Sequence, residues 1–439
     1  MTLNPRARLT AVSFATLVGL PILAITPGFA KGEMKSEQAA QKQEMREADK
    51  DMRKVLMELQ KLGAKPLGTQ SVEETRKGPT PADAVKGVLR AEGEDPMALT
   101  AAMNVAKKDV TYPTAGGTQP ARIYTPENAG SGPLPVILYF HGGGFVIADI
   151  DTYEASAMAM AHKTGAIVVS AEYRHAPEAK FPAQQEDAVA AYKWVVENAG
   201  QWNGDGKRVA VMGESAGGNL AVNVAIAARD QKLEEPVYMV LVYPVAGTDT
   251  DTPSYRENAQ AMPLSKKAME WFVQNTISKP EDKKDPRLDL VHADLKGLPD
   301  ATVITDEIDP LMSEGRELAR ELRKGGSEVK YQNYEGVTHE FFGMAPVVKD
   351  AERAQDLAAR ELKDAFEEAA KSPGATNDTK MTPRWGLSGI SCAGGHSGSD
   401  GGSRWHDAKH PVSLTRSWIS SWPGPIRRRR LRPMACWTS

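Results

Sequence analysis

The hexapeptide Gly213-Glu214-Ser215-Ala216-Gly217-Gly218 constrains this chain more than any other stretch. It follows the apolar run Arg208-Val209-Ala210-Val211-Met212 and precedes a helix-like segment over 219–229. A strand that ends in G-x-S-x-G and turns at once into a helix has the pattern of a nucleophile elbow. The turn pushes its serine into a sparsely allowed backbone region, and small neighbours such as Gly213 and Gly217 keep strand and helix from colliding. The Ser215 hydroxyl would then stand above a sheet, over a helix N-terminus that favours negative charge. Alone, the pattern also fits an inert turn of small residues. A base, a carboxylate and a set of oxyanion donors must therefore be found elsewhere.

Around this stretch, short apolar runs alternate with amphipathic segments. Strand-like runs cover 120–124 (read as an edge strand), 134–140, 166–170, 237–243, 301–305 and 328–334. Helix-like segments cover 184–198, 314–323 and 349–368. The alternation predicts an α/β fold with a mainly parallel central sheet flanked by helices on both faces. Ligands in such sheets bind at the carboxyl ends of the strands. Residues 31 to 60 are polar and helix-prone, with Val55, Leu56, Leu59 and Leu62 at helical spacing. Thr80-Pro81-Ala82-Asp83 reads as a helix start, with Thr80 capping and Pro81 in the first turn. Residues 31–110 thus form an N-terminal helical cap or flank, and 111–371 the catalytic domain.

The two ends differ from this body. Arg6 and Arg8, an apolar run over 9–25 and the triplet Gly28-Phe29-Ala30 predict an export signal over 1–30, cleaved before Lys31. The run is shorter than the ~20 residues of a membrane span. Stable membrane insertion is therefore not expected after cleavage, whereas an uncleaved segment would anchor the chain. Residues 372–439 are rich in Gly, Ser, Pro, Arg and Trp and lack periodicity, which predicts a disordered basic tail. The tail reads either as accidental coding sequence or as a basic arm for an anionic surface. It holds ten Lys/Arg against three Asp/Glu, leaving residues 1–371 with 44 basic and 54 acidic side chains. A body of net charge -10 argues against a nucleic-acid partner. Both cysteines, Cys392 and Cys436, also fall in the tail, so the body has neither a disulfide nor a thiolate metal site.

The oxyanion donors have a candidate in His141-Gly142-Gly143-Gly144, directly after the run over 134–140. Three glycines strip Cβ atoms from the loop and let backbone N–H groups face a substrate oxygen. A plain glycine-rich loop is the competing reading; a phosphate cradle lacks its G-x-x-x-x-G-K-[ST] or G-x-G-x-x-G pattern. With the G-x-S-A-G-G stretch at 213–218, Tyr173-Arg174-His175-Ala176-Pro177-Glu178 and Phe181-Pro182-Ala183, the chain resembles bacterial hormone-sensitive-lipase-like esterases of the α/β-hydrolase superfamily. The resemblance runs from about Ala121 to Phe366. It implies an α/β-hydrolase fold and a serine carboxylesterase acting on short- to medium-chain acyl esters through an acyl-enzyme. It also implies a small-molecule ester as partner, a homodimer in many relatives, and no cofactor.

By the same resemblance, Gly143, Gly144 and Ala216 supply the oxyanion N–H groups, while His141, Gly142, Gly213, Glu214 and Gly217 support the two motifs. The acid is Asp309, in Asp309-Pro310-Leu311, with Asp306 and Glu307 as close competitors on sequence. The base is His339, in His339-Glu340-Phe341. The chain order Ser215, Asp309, His339 is that of α/β-hydrolases. His339-Glu340-Phe341-Phe342 is not H-E-x-x-H, so no metal site is read there. Three departures from the family stand out: Glu214 for Asp or Thr, Glu340 for Gly and Ala148 for Gly. An amidase or formamidase with the same triad, and a non-catalytic binder of small molecules, remain alternatives.

N-terminal sequencing of the exported protein is expected to begin at Lys31. Truncation after Lys371 is expected to leave folding unchanged, as a melting curve checks.

Overall fold

The computed structural model describes residues 48–371 apart from Asn128 and Ser131. The expected signal, the first part of the N-terminal flank (31–47) and the basic tail lie outside the described residues. Helices α1 (Lys50–Lys61), α2 (Val72–Arg76), α3 (Pro81–Ala91) and α4 (Pro96–Ala101) lead into the hairpin of β1 (Val105–Thr114) and β2 (Gly117–Pro126). There follow β3 (Leu134–Phe140), α5 (Glu154–Thr164), β4 (Ile167–Ala171), α6 (Ala183–Asn198), β5 (Gly204–Glu214), α7 (Ala216–Gln231) and β6 (Met239–Val242). After α8 (Pro253–Glu257) and α9 (Lys266–Thr276), the chain closes with β7 (Ala301–Ile308), α10 (Met312–Gly325), β8 (Val329–Thr338) and α11 (Lys349–Lys371).

The strands form one sheet in the order β1-β2-β4-β3-β5-β6-β7-β8. β1 and β2 run antiparallel, as do β2 and β4, and every later neighbour is parallel. Alternation along the strands sorts side chains to opposite faces. Val136, Leu138 and Phe140 pack with α6 and α7 residues such as Ala188 and Leu220, whereas Ile137 and Tyr139 pack with Met158 of α5 and Leu362 of α11. From β3 the chain steps outward to β4 and then returns to β5 on the other side of β3. The carboxyl ends of β3 and β5 therefore flank the point where the winding reverses, which is the ligand crevice of such sheets.

Several details differ from the sequence reading. The edge strand is β1, and residues 120–124 lie inside the sheet, paired on both sides. β1 escaped notice because its side chains are mostly exposed, Lys107, Lys108 and Asp109 among them, with Tyr112 alone fully buried. The sheet therefore begins at Val105, inside the stretch read as cap or flank. In α1 the buried stripe is Met52, Val55, Leu56 and Leu59, while Leu62 caps the helix and is 43% exposed. Thr80 does cap α3, accepting from the Asp83 N–H, with Pro81 in the first turn.

The helices before the sheet also brace the loop after β3. Leu67 and Val72 pack against a cluster containing Val146, Met269 and Phe272. Arg76 donates from Nε to the Val146 carbonyl at 2.9 Å, from Nη2 to the Ala176 carbonyl at 2.9 Å, and from Nη1 to Glu178 at 2.7 Å. Arg76→Ala leaves those carbonyls without partners. It is expected to cost roughly 1–2 kcal/mol of stability in a denaturant titration, with a fall in ester turnover because Val146 follows the glycine loop directly.

Candidate active site

β5 ends in the elbow. Ser215 has φ 56° and ψ -117°, a conformation that few residues with a side chain adopt. Its backbone is fixed from both sides: its N–H donates to the Val242 carbonyl at 2.9 Å, and its carbonyl accepts from Val245 at 3.0 Å and Gly218 at 3.0 Å. A Cβ at Gly213 would land on the Gly217 carbonyl oxygen, and one at Gly217 on the Phe140 carbonyl oxygen. The strand–helix contact thus requires the glycines that the sequence supplies at those positions.

Three predicted side chains meet at this elbow. The His339 Nε2 lies 3.0 Å from Ser215 Oγ, and His339 Nδ1 lies 2.8 Å from Asp309 Oδ2. Asp309 Oδ1 accepts the Leu311 N–H at 2.9 Å, which fixes the carboxylate plane. With Nδ1–H donated to Asp309, Nε2 faces the serine as an acceptor. Of the two competing acids, Glu307 is exposed and accepts the Gly336 N–H at 2.9 Å. Asp306 is fully buried; burial and the Asp309 charge push its carboxyl well above the usual range, which disfavours it as the anion.

The glycine loop stands beside them. Gly143 and Gly144 have φ +90° and +59°, and a Cβ on Gly143 would strike the Ile147 carbonyl oxygen. Among the described residues, the N–H groups of Gly143, Gly144 and Ala216 donate to no protein acceptor. Ala216 is the first residue of α7, where the helix leaves its N–H free by geometry. His141 carries the loop: Nδ1 donates to the Gly142 carbonyl at 2.8 Å and Nε2 meets Glu172 at 2.8 Å. Burial opposes charge on His141, but the Glu172 carboxylate outweighs it and raises the His141 pKa. The Tyr173 hydroxyl donates to the Gly142 carbonyl at 2.9 Å from below. Ala148, the departure near this loop, has φ +68°, which explains why glycine suits that position.

The sequence reading missed several partners. Tyr243, just past β6, sets its ring 4.5 Å from His339 at a tilt of 49° and donates its hydroxyl to Glu214. Tyr139 donates to the other Glu214 oxygen at 2.6 Å. Tyr153 donates to Glu340 at 2.5 Å. The insertion between β6 and β7, unassigned before, builds a cavity beside Gly144 lined by Phe145, Val245, Met269, Phe272 and Leu288. Its lining includes neither Ser215 nor His339, so it adjoins the loop and not the base. Helical spacing at Ala268, Met269 and Phe272 was the available signal. Two groups have ligand-type atoms close enough for a metal, Asp306/Asp309/His339 and His141/Glu172/His175. In both groups, hydrogen bonds within the group already engage a histidine with a carboxylate.

A sequence-family profile described as an alpha/beta hydrolase fold matches residues 137–343. Carboxylesterase NlhH of Mycobacterium tuberculosis is 38% identical over 251 residues, 56% of this chain and 78% of that relative. An ethyl acetate hydrolase of Pseudomonas putida is 32% identical over 254 residues, 56% of this chain and 79% of its own length. The solved hyperthermophilic esterase of Pyrobaculum calidifontis superposes with a TM-score of 0.62 at 34% identity, over 70% of this chain and 97% of that one.

Glu214 generates a pH prediction. Burial raises its pKa from 4.5 to about 7 against the hydrogen bonds of Tyr139 and Tyr243. Between those values the folded protein holds a proton that the unfolded chain has lost, so stability falls as pH rises through this window. Glu214→Gln removes that slope. From about pH 5 to about pH 8 the variant's unfolding free energy is expected to fall less than wild type's, by up to about 3 kcal/mol. Equal slopes in urea titrations would rule this out.

Proposed function

We propose a mechanism from one premise: the chain belongs to the hormone-sensitive-lipase-like esterases of the α/β-hydrolase superfamily and is a serine carboxylesterase. In this reading His339 Nε2 takes the Ser215 proton as Oγ attacks the ester carbonyl. Asp309 holds the imidazole and offsets its charge. The tetrahedral oxyanion rests on the free N–H groups of Gly143, Gly144 and Ala216; one such donor typically contributes about 2.7–4 kcal/mol. The alcohol leaves with the proton from His339, and water then releases the acid from acyl-Ser215. The observation that carries the assignment is the Ser215–His339–Asp309 chain of contacts at 3.0 and 2.8 Å.

Burial opposes a charge on His339, but Asp309, with Glu340 and Glu214 behind it, raises the His339 pKa above its ordinary value. The imidazolium that forms during attack is stabilised by the same carboxylates. For the substrate, we assign the acyl group to the cavity beside Gly144, which its apolar lining suits to short and medium chains. Phe272 forms its wall against Gly144. We also place the mature protein outside the cytoplasm, on the strength of the signal-like sequence over 1–30.

Ser215→Ala is expected to abolish turnover across a panel of p-nitrophenyl esters while leaving the melting curve unchanged. Phe272→Ala should move the optimum of the same panel to longer acyl chains. Comparable turnover by Ser215→Ala refutes the nucleophile, and an unmoved optimum refutes the acyl assignment alone.

A further inference from the structure

In the mechanism above, Glu340 acts on the base only through its charge. It has φ +76°, in the left-handed region where glycine is at ease and a side-chain-bearing residue is strained. Such strain concentrates at functional positions because the surrounding structure must hold it. The strained backbone turns the carboxylate toward the base: Glu340 Oε1 lies 3.9 Å from His339 Nε2. Tyr153 donates its hydroxyl to that oxygen at 2.5 Å and fixes it there. The Tyr153 hydroxyl in turn lies against Gly142, where an added Cβ would strike it while coming within 3.1 Å of Ser215 Cβ. Nucleophile, base, Glu340 and Tyr153 therefore border one space, and the Glu340 side chain is 20% exposed.

That space gains a use once Ser215 is acylated. In the free enzyme the Ser215 hydroxyl occupies Nε2 at 3.0 Å. In the acyl-enzyme this hydroxyl is gone and Nε2 takes its donor from the incoming acyl acceptor. A water has a second O–H, which needs an acceptor of its own in a buried site. Two acceptors of one water, each about 2.8 Å away at an angle of about 105°, lie roughly 4.4 Å apart. The 3.9 Å between Nε2 and Oε1 admits this bridge with the angle narrowed to about 88°.

We propose that Glu340, held by Tyr153, is a positioning residue that selects water as the acyl acceptor. Its carboxylate accepts the second O–H of the water whose first O–H faces His339, so that the oxygen lone pair points at the acyl carbon. The water oxygen bonds to that carbon as its first proton passes to Nε2. The tetrahedral intermediate then expels Ser215 Oγ, which recovers the proton from His339, and the free acid leaves. Glu340 exchanges no proton. A simple alcohol has one O–H, which His339 takes, and would leave its carbon substituent against the carboxylate. The carboxylate would then lose the water's O–H and keep the Tyr153 hydroxyl alone, so hydrolysis is favoured over transfer to alcohols.

This inference rests on the serine mechanism above, and the test separates the two. Wild type, Glu340→Gly, Glu340→Gln and Tyr153→Phe are mixed with p-nitrophenyl acetate at about pH 8, with and without methanol. Nitrophenol release reports acylation, and the mass of acetyl-Ser215 and the ratio of methyl acetate to acetate report its fate. Glu340→Gly, which also relieves the strained backbone, is expected to lose about tenfold to a hundredfold in deacylation by water, well beyond any fall in its acylation rate. Its methyl acetate share should rise, with smaller shifts in Glu340→Gln and Tyr153→Phe. Deacylation within about twofold of wild type with an unchanged product ratio overturns the proposal, as does an equal fall in both steps. Should Glu340→Gly fail to fold, the product ratios of the other two variants decide in the same way. A wild type that never forms acetyl-Ser215 refutes the serine mechanism instead.

Discussion

The pairing of β3 with β5 is the contact on which the site depends. These two strands are parallel neighbours in register, Phe140 beside Gly213, yet they are separated in sequence by β4 and two helices. Each strand ends in a stretch with no independent reason to be near the other: the glycine loop after β3 and the elbow after β5. The register brings the free N–H groups of Gly143 and Gly144 to the same edge as Ser215 and Ala216. A slip of one residue would turn Phe140, Leu138 and Val136 onto the wrong face of the sheet. Core packing and oxyanion geometry are thus enforced by the same ladder of hydrogen bonds.

A second constraint is charge. One imidazole, His339, stands among Asp309, Asp306, Glu214 and Glu340, and burial disfavours ionisation of His339, Asp306, Glu214 and Glu340. The site resolves this by giving each carboxyl a distinct state. Asp309 is paired with Nδ1 and the Leu311 N–H; Asp306 is pushed well up by burial; Glu214 shares two tyrosine hydroxyls and is raised to about 7. Glu340 is also pushed up by burial, yet the neighbouring His339 and the Tyr153 hydroxyl favour its charge. Groups with such divided environments can take divided roles, which is how a cluster of like acids avoids mutual cancellation.

How much of this was legible beforehand follows from range. The elbow, the glycine loop and the βα alternation are local, so spacing exposed them, whereas Asp309 and His339 came from the family resemblance, with Asp306 and Glu307 competing for the acid on sequence. β1 was invisible because an exposed edge ribbon has no apolar alternation to read. Glu214 and Glu340 were visible as departures, but what they touch depends on Tyr139, Tyr153 and Tyr243, which reach them from three other elements. The acyl cavity was hidden for a similar reason. Its wall is an insertion whose only local signal, the spacing in α9, is shared with any amphipathic helix.

Backbone strain ties these strands of reasoning together. Among the described residues, eight without a glycine's freedom have positive φ. Asn104, Asn203 and Lys232 are at turns or helix ends, where asparagine or a capping residue adopts this conformation at small cost. The other five, Phe145, Ala148, Ser215, Tyr243 and Glu340, lie within or beside the site. Each of them would relax if its neighbours allowed it. The neighbours do not: Phe145 and Tyr243 are buried, and Ser215 is fixed by hydrogen bonds from both sides. The folded core thus holds five unfavourable conformations so that a nucleophile, its base and their donors converge, and Glu340→Gly would relax one of the five while removing the carboxylate that faces the acceptor.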